Sequence, residues 1–240
     1  MALLARLGSK GYRPTQYLCL DFSRVLLRIA KERLIDAIPN CLVKTRTWDF
    51  EKAPTRAIRD WRPGRGPSLF LLLGQTLGNP YSPLSVLRNL ALSGCPGGLL
   101  LLNVALAGSK SPEEELAVYR NRTFTRAATQ PLISAGVRPS AGEFSLRFQP
   151  NPPAVVDDFI LRKRVRLTFK GQSITLLPRE SNRCFYSRRF APPELQCMLH
   201  SSGWKLLLTL GDASRAHAVM IARLDCQQVD DSGSSWRVPV

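Results

Sequence analysis

Two acidic residues that follow short apolar segments are the first candidates for ligand chemistry in this 240-residue chain. Asp21 ends the segment Tyr17-Leu18-Cys19-Leu20, and Ser23, a residue type that begins helices, follows it. Asp49 lies in the later segment Thr47-Trp48-Asp49-Phe50. In sheets built from strand–helix–strand units, a carboxylate at a strand end accepts hydrogen bonds from ribose hydroxyls. The pattern predicts a nucleoside site, and a helix cap is the alternative interpretation of Asp21.

A second candidate is the turn that follows the continuous apolar run at residues 68–73. Gly74 and Gly78 allow the backbone to approach a ligand closely. Asn79 offers both a hydrogen-bond donor and an acceptor. Because α/β sheets bind ligands at the carboxyl ends of their strands, this turn predicts a binding role, with an ordinary strand-to-helix turn as the alternative.

The elements that hold these residues alternate between strands and helices, which predicts a parallel sheet. After a short helix at 2–9, we expect helices at 24–37 and 83–92 and a loop rich in Pro, Gly and Arg at about 51–67. The expected strands of this part are 17–21, 41–45, 68–73 and 99–104.

The pattern changes after about residue 110. A helix is expected at 113–126, a long connection rich in Pro, Gly and Ser at 136–154, and antiparallel strands at 155–190 with a turn at Lys170-Gly171. Apolar residues alternate with arginines from Phe159 to Phe169, which predicts one strand with an arginine face. A helix at 192–202 and strands at 204–210 and 217–224 would return to the first sheet, and the polar tail after Asp225 is expected to be disordered.

Composition limits the classes of protein to consider. The 34 basic and 18 acidic residues give a net charge of +16, which raises a nucleic-acid hypothesis, although arginines on a solvated strand face also account for it. No apolar run is long enough for a membrane span, and no signal peptide is evident, so a cytoplasmic protein is expected. The six cysteines and two histidines lack zinc-site spacing, so no metal site is predicted.

The chain resembles the S-adenosylmethionine (SAM)-dependent histidine-specific methyltransferases of ergothioneine biosynthesis and their relatives that act on other amino acids. The resemblance covers about residues 3–224, and it is carried by the order and spacing of five segments: YLCLDFS at 17–23, WDF at 48–50, LLGQTLGN at 72–79, PGGLLLLNV at 96–104 and SRRFAPPEL at 187–195.

The resemblance implies an α/β fold with a Rossmann-like class I methyltransferase sheet and an inserted, smaller α+β substrate domain. The cofactor domain would comprise residues 1–109 and 191–225, the substrate domain 110–190 and the tail 226–240. The family also has a first strand and a Gly-rich loop that would lie before residue 1. The sheet is therefore expected to be incomplete at its N-terminus, and the chain to be a fragment or to have a misplaced start.

The resemblance also assigns roles to individual residues. Asp21 would bind the ribose of SAM, and Asp49 and Phe50 would flank its adenine, with Gly74 beside the cofactor. Asn79 would hold the amino-acid end of the substrate, and Tyr119, Phe185 and Ser187 would line the substrate site. No residue is assigned as catalytic.

Phe185 departs from the family pattern, which has a glutamate that binds imidazole at this position. A phenyl ring cannot accept a hydrogen bond from an imidazole N–H, and sites built around such a bond discriminate strongly. This substitution argues against histidine itself and favours an aromatic or apolar amine as the methyl acceptor, or no substrate at all.

The sequence therefore predicts a SAM-dependent N-methyltransferase that acts on the amino group of a small molecule by direct in-line methyl transfer. Two alternatives remain open at this point. One is a catalytically inactive, truncated relative that serves as a binding protein, and the other is a basic protein that binds or modifies nucleic acid.

Overall fold

A computed structural model describes residues 2–12, 14–61, 68–169 and 171–225 of the chain. The N-terminal half alternates helices and strands: α1 (Ala2–Ser9), β1 (Gln16–Asp21), α2 (Arg24–Ala37), β2 (Leu42–Thr47), α3 (Ala57–Trp61), β3 (Leu69–Leu72), α4 (Pro83–Ser93) and β4 (Leu99–Ala105). The α/β class predicted from the sequence is confirmed by this order and by the parallel pairing of β1 with β2 and of β3 with β4.

Strands β1 and β2 form a two-stranded sheet whose outer face is covered by α2. Leu27 and Leu34 of α2 pack against Cys19 and Val43 because their spacing places both leucines on one helix face. The opposite face of β1 contributes Leu18 and Leu20 to the larger core described next. The β1–β2 pair is thereby joined to the rest of the molecule through side-chain packing.

The largest sheet has the order β10–β11–β4–β3. Its last strands, β10 (Trp204–Gly211) and β11 (His217–Leu224), follow helix α7 (Pro192–Ser201). They pair antiparallel with each other, and β11 also pairs antiparallel with β4. The main hydrophobic core lies against this sheet; its largest fully buried side chains include Leu77, Leu87, Leu100, Leu102, Phe190, Leu195, Leu199, Trp204 and Met220. The return of the chain to the first sheet after residue 191 agrees with the sequence pattern.

The middle of the chain forms a second structural unit. Helices α5 (Pro112–Ala117) and α6 (Arg122–Ser134) precede the antiparallel sheet β5–β6–β9, made of β5 (Gly142–Pro150), β6 (Pro153–Leu161) and β9 (Ser181–Arg188). A separate hairpin joins β7 (Val165–Phe169) to β8 (Gln172–Leu176). The antiparallel strands expected at 155–190 are confirmed, whereas the division of the chain into domains at residues 110 and 190 stays a prediction.

Three expected elements differ from the structure. The connection expected at 136–154 contains β5, because its backbone pairs with β6 along the full strand despite the prolines at both ends. The helix expected at 113–126 is two helices, since Asn121 begins α6 by accepting a hydrogen bond from Phe124 N at 2.8 Å. The alternating run from Phe159 to Phe169 is two strands, because Arg162 N turns away to bond Ala141 O.

Three parts of the expected architecture lie outside the described residues: positions 62–67 of the Pro/Gly-rich loop, Lys170 of the hairpin turn and the tail at 226–240. Within the described ranges, no helix is both long enough and apolar enough to cross a membrane.

The two units meet at the end of β9. Phe190 N donates to Ala105 O at 3.0 Å, and Ala107 N donates to Phe190 O at 3.0 Å, so the chain adds an isolated parallel bridge beside β4. The Phe190 side chain is fully buried in the main core. This junction fixes β9 next to the carboxyl ends of β3 and β4.

Candidate active site

Asp21 lies at the carboxyl end of β1, half exposed, at the junction with α2. Its Oδ1 accepts a hydrogen bond from Ser23 N at 2.7 Å. The helix cap is Ser23 itself, whose Oγ accepts from Leu26 N at 3.3 Å. The cap residue of α2 is therefore Ser23 and not Asp21, while the Asp21 carboxylate stabilises the turn into the helix through the backbone N–H of Ser23.

Asp49 and Phe50 follow the neighbouring strand β2. Trp48 N donates to Asp21 O at 3.0 Å, which ties the two strand ends together. The Asp49 carboxylate bonds Lys52 Nζ at 2.8 Å, and this contact lowers the pKa of Asp49, so the group is negatively charged at neutral pH. Phe50 packs against the main core, and its carbonyl accepts from Asn89 Nδ2 at 2.8 Å.

Gly74 begins the turn after β3 with φ of +73°, a conformation that favours glycine. The space where a Cβ would lie is open, with nothing within 4 Å. Tyr81, at the far end of the turn, donates its backbone N–H to Glu51 Oε2 at 3.1 Å. The loop that carries Asp49 and Phe50 is thereby bonded to the segment that carries the glycine-rich turn.

These residues fit the nucleoside part of SAM. Two carboxylates at the ends of adjacent parallel strands suit ribose and adenine donors, Phe50 offers an aromatic edge, and Gly74 borders open space.

Asn79 ends the short 3₁₀ helix Thr76–Gly78 and is exposed. The preceding Gly78 is packed so closely against β9 that an added Cβ would lie 2.7 Å from the carbonyl oxygen of Arg188. The turn expected to hold the substrate amine therefore lies directly against the strand that carries Phe185 and Ser187.

Tyr119, Phe185 and Ser187 form one cluster, which a fourth residue organises. Tyr119 packs on Phe185 with ring centroids 5.1 Å apart. The buried Arg189 donates to Tyr119 Oη at 3.3 Å and to Ser187 Oγ at 2.7 Å. The structure thus brings together three of the four residues expected to line the substrate site, with Asn79 on the adjoining turn.

Arg189 is held in turn by Glu115, whose Oε2 accepts from both Nε at 2.9 Å and Nη2 at 2.7 Å of Arg189. Burial alone would lower the pKa of Arg189, but its hydrogen bonds to Glu115 and Tyr119 outweigh this and raise it, so the guanidinium stays charged. Both side chains are almost fully buried. This ion pair positions Tyr119 and Ser187.

Three buried charged residues were not predicted from the sequence to belong to the site: Glu115, Arg189 and Asp157. Asp157 lines a cavity and pairs with Phe185 across β6 and β9. The first two are far apart in the sequence, and no local pattern links them. Asp157 had a usable signal, because Asp157 and Asp158 are adjacent acids inside the otherwise apolar strand β6.

The family model of the SAM-dependent histidine-specific methyltransferases matches residues 1–224. The chain belongs to this family. The protein is therefore a SAM-dependent methyltransferase, as the resemblance in the sequence implied. No curated protein matches the methyltransferase in sequence.

Solved structures similar to this chain are also methyltransferases. One from Clostridium acetobutylicum ATCC 824 is 7% identical over 87% of this chain and 74% of that chain, with a TM-score of 0.46. CcbJ from Streptomyces caelestis is 16% identical over 87% and 74%, with a TM-score of 0.43. The amino pentose methyltransferase CalS10 from Micromonospora echinaspora, solved with bound SAM, is 11% identical over 92% and 78%, with a TM-score of 0.44. The assignment rests on the family match, since these likenesses are distant.

Proposed function

We propose that this methyltransferase transfers a methyl group from SAM to the amino group of an amino acid or a related small amine. The observation that carries the proposal is the buried Glu115–Arg189 pair, which orients Tyr119 and Ser187 beside the turn that ends at Asn79. Buried ion pairs fix side-chain geometry in some proteins, and we infer that this pair does so here.

The cofactor side of the site is assigned to Asp21, Asp49, Phe50 and the backbone at Gly74. When bound, SAM would supply a methyl group on a sulfonium: the acceptor nitrogen bonds to the methyl carbon in line while the carbon–sulfur bond breaks and the thioether leaves. The protein therefore needs no covalent nucleophile. Its task is to orient the acceptor nitrogen.

The acceptor side is assigned to Asn79 and Tyr119. The amide oxygen of Asn79 can accept a hydrogen bond from an amine N–H and so direct its lone pair away from the turn. Tyr119 Oη already accepts from Arg189, so its own hydrogen is free to bond an acceptor on the substrate. Neither residue needs to gain or lose a proton.

The first test is calorimetry of SAM binding to the 240-residue chain and to Asp21→Ala. The variant is expected to lose about 1–3 kcal/mol of binding free energy, the magnitude of a lost charged hydrogen bond. Asp36→Ala, which removes an exposed acid from α2, is the matched control and should bind SAM like the wild type. Equal SAM affinity in Asp21→Ala would remove the cofactor assignment, and no SAM binding by the folded wild type would favour the inactive relative.

The second test concerns the acceptor. Methyl transfer is followed by mass spectrometry over a panel of amino acids and small amines. Asn79→Ala is expected to lower kcat/KM about 100-fold, the effect of removing one aligned polar group, while SAM affinity stays unchanged. Normal methyl transfer by Asn79→Ala would show that the turn does not hold the acceptor.

A further inference from the structure

Six basic residues lie close together where the β7–β8 hairpin joins the sheet of the middle unit. Ala141 N donates to Arg138 O, and Arg162 N donates to Ala141 O, both at 2.8 Å. Next to Arg162, Leu161 O accepts a hydrogen bond from Arg179 N at 2.7 Å. The remaining three follow Arg162 in the chain, and all six side chains are exposed. These residues form the basic cluster: Arg138, Arg162, Lys163, Arg164, Arg166 and Arg179.

The charge of the basic cluster is largely unopposed in the part of the chain that the structure describes. Its one ion pair there joins Arg162 to Glu143. Glu180, which follows Arg179, accepts a hydrogen bond from the backbone N–H of Leu177 at 2.7 Å and so holds the adjoining turn. Exposed like charges of this density repel one another and attract anions, which is a reason to look for an anionic partner.

The hairpin holds part of the basic cluster at the surface because its other face is packed. Three apolar side chains contact the small core around Phe159: Val165, Leu167 and Leu176. Side chains alternate along a strand, so the opposite face carries four exposed polar side chains: Arg166, Thr168, Ser173 and Thr175. Arg166 Nη2 lies 3.4 Å from Ser173 Oγ, which directs its guanidinium across the hairpin.

The chemistry of this surface suits phosphate groups. Arginine accounts for five of the six members of the basic cluster, and the planar guanidinium donates two parallel hydrogen bonds to a phosphate. The hydroxyls of the hairpin face are also phosphate donors. None of the described side chains on this face is aromatic, so it offers no platform on which bases would stack.

We propose that the basic cluster is a docking surface for the phosphate backbone of a nucleic acid. A nucleic acid strand carries closely spaced phosphates and can therefore engage several of these residues at once. Binding there does not depend on base sequence, and salt weakens it because it releases counterions. The basic cluster contains none of the residues assigned to SAM or to the acceptor, so this inference does not rest on the proposed function.

The test compares two double variants that remove the same charge. Arg164→Gln with Arg166→Gln changes the basic cluster, whereas Arg28→Gln with Arg33→Gln changes two exposed arginines of α2. Fluorescence anisotropy measures the affinity of each folded variant for labelled poly(A) between 50 and 200 mM salt, and circular dichroism checks folding.

The variant of the basic cluster is expected to bind poly(A) at least about tenfold more weakly at 50 mM salt. Its slope of log affinity against log salt should be shallower by about 1.4, because each phosphate contact to a single strand contributes about 0.7. The α2 variant should stay within about threefold of the wild type. Arg164→Lys with Arg166→Lys keeps the charge and should keep the slope of the wild type.

Equal losses in the two glutamine variants would overturn the inference, since net charge alone would then explain the binding. A wild type that does not bind poly(A) at 50 mM salt would overturn it as well. Poly-L-glutamate is the second probe, and binding as tight as that of poly(A) would point to an acidic protein partner instead of phosphate. Lys163→Gln with Arg179→Gln replaces the first variant should that one fail to fold. Binding of poly(A) at the basic cluster by a chain that does not bind SAM would contradict the proposed function and leave this inference standing.

Discussion

At the scale of single residues, the buried pair Glu115–Arg189 combines stability with site geometry. Its guanidinium donates to Glu115, Ser187 and Tyr119 at once, so four side chains depend on one charge. Removal of one partner from a buried pair leaves an uncompensated charge, which costs more than the pair itself contributes. The pair is therefore the residue-scale feature most sensitive to substitution.

We expect Glu115→Gln to lower the free energy of unfolding by about 3 kcal/mol, because the variant keeps a hydrogen-bond acceptor but leaves the buried Arg189 charge unpaired. Urea unfolding measures this. Glu114→Gln is the control: Glu114 is exposed and closes a capping box with Ser111, a role that glutamine also fills, so a cost below about 1 kcal/mol is expected. Equal costs for the two variants would contradict the importance of the buried pair.

For Asp157 the expected effect on stability is the opposite of that for Glu115, because removal of its charge should stabilise the folded protein. Burial and the neighbouring Asp158 raise its pKa in the folded protein, so the folded state binds the proton more tightly than the unfolded chain does. The destabilisation by Asp157 therefore appears as the pH rises through the carboxyl pKa of the unfolded chain, about 4, and is complete above the folded pKa. Burial raises the pKa of the neighbouring Cys184 to about 11, so this thiol stays neutral throughout.

Asp157→Asn should accordingly be more stable than the wild type at pH 7, and the difference should shrink as the pH falls towards 4. Urea unfolding at several pH values between 4 and 7 measures it, with Asp36→Asn on the exposed face of α2 as the control. A difference between Asp157→Asn and the wild type that is independent of pH would show that the charge is not its cause.

At the scale of elements, regular local sequence patterns were sufficient to predict the bounds of some helices and strands. The serine cap and apolar spacing predicted α2 with the observed bounds Arg24–Ala37, and the strand His217–Leu224 was likewise predicted with its observed bounds. Strand β5 was missed because Pro, Gly and Ser normally mark connections, whereas here pairing with β6 overrides that preference. The Arg189–Glu115 contact and the burial of Asp157 depend on tertiary packing, which no local spacing encodes.

Two glycines show how an element's surroundings decide the effect of the same substitution. Gly78→Ala would place a Cβ 2.7 Å from the backbone oxygen of Arg188, so the turn or β9 must shift, at a cost of about 1–3 kcal/mol. Gly8→Ala lies within helix α1 with nothing within 4 Å and should stabilise the protein by up to about 1 kcal/mol. Thermal or urea unfolding of both variants checks this contrast, and a neutral Gly78→Ala would mean that the turn and β9 are not in tight contact.

At the scale of the whole molecule, the candidate site residues lie on two parts of the chain that contact each other near the end of β9. Phe190 bridges to Leu106, and Gly78 packs against Arg188. The junction places the turn that ends at Asn79 against β9, the strand that carries Phe185 and Ser187. Sequence order alone does not predict this contact, because it depends on tertiary packing.

Net charge is the remaining whole-molecule property, and it separates the methyltransferase from the nucleic-acid alternative. The charge of +16 attracts polyanions in general, and Arg162, Arg164 and Arg166 are exposed near the β7–β8 hairpin. Attraction of this kind is sequence-independent and weakens steeply with salt, because it depends on the release of counterions. Small-ligand binding by a few local contacts depends on salt much less.

We therefore expect the affinity for SAM to change less than about threefold between 50 and 200 mM salt. Any association with poly(A) should weaken about 1,000-fold or more over the same range. Calorimetry measures the affinity for SAM, and fluorescence anisotropy of labelled poly(A) measures the affinity for poly(A) on the same preparation. Asp21→Ala should weaken SAM binding without changing the affinity for poly(A). Tight poly(A) binding that persists at 200 mM salt would require contacts to bases as well as to phosphates, and it would restore the nucleic-acid alternative for this protein.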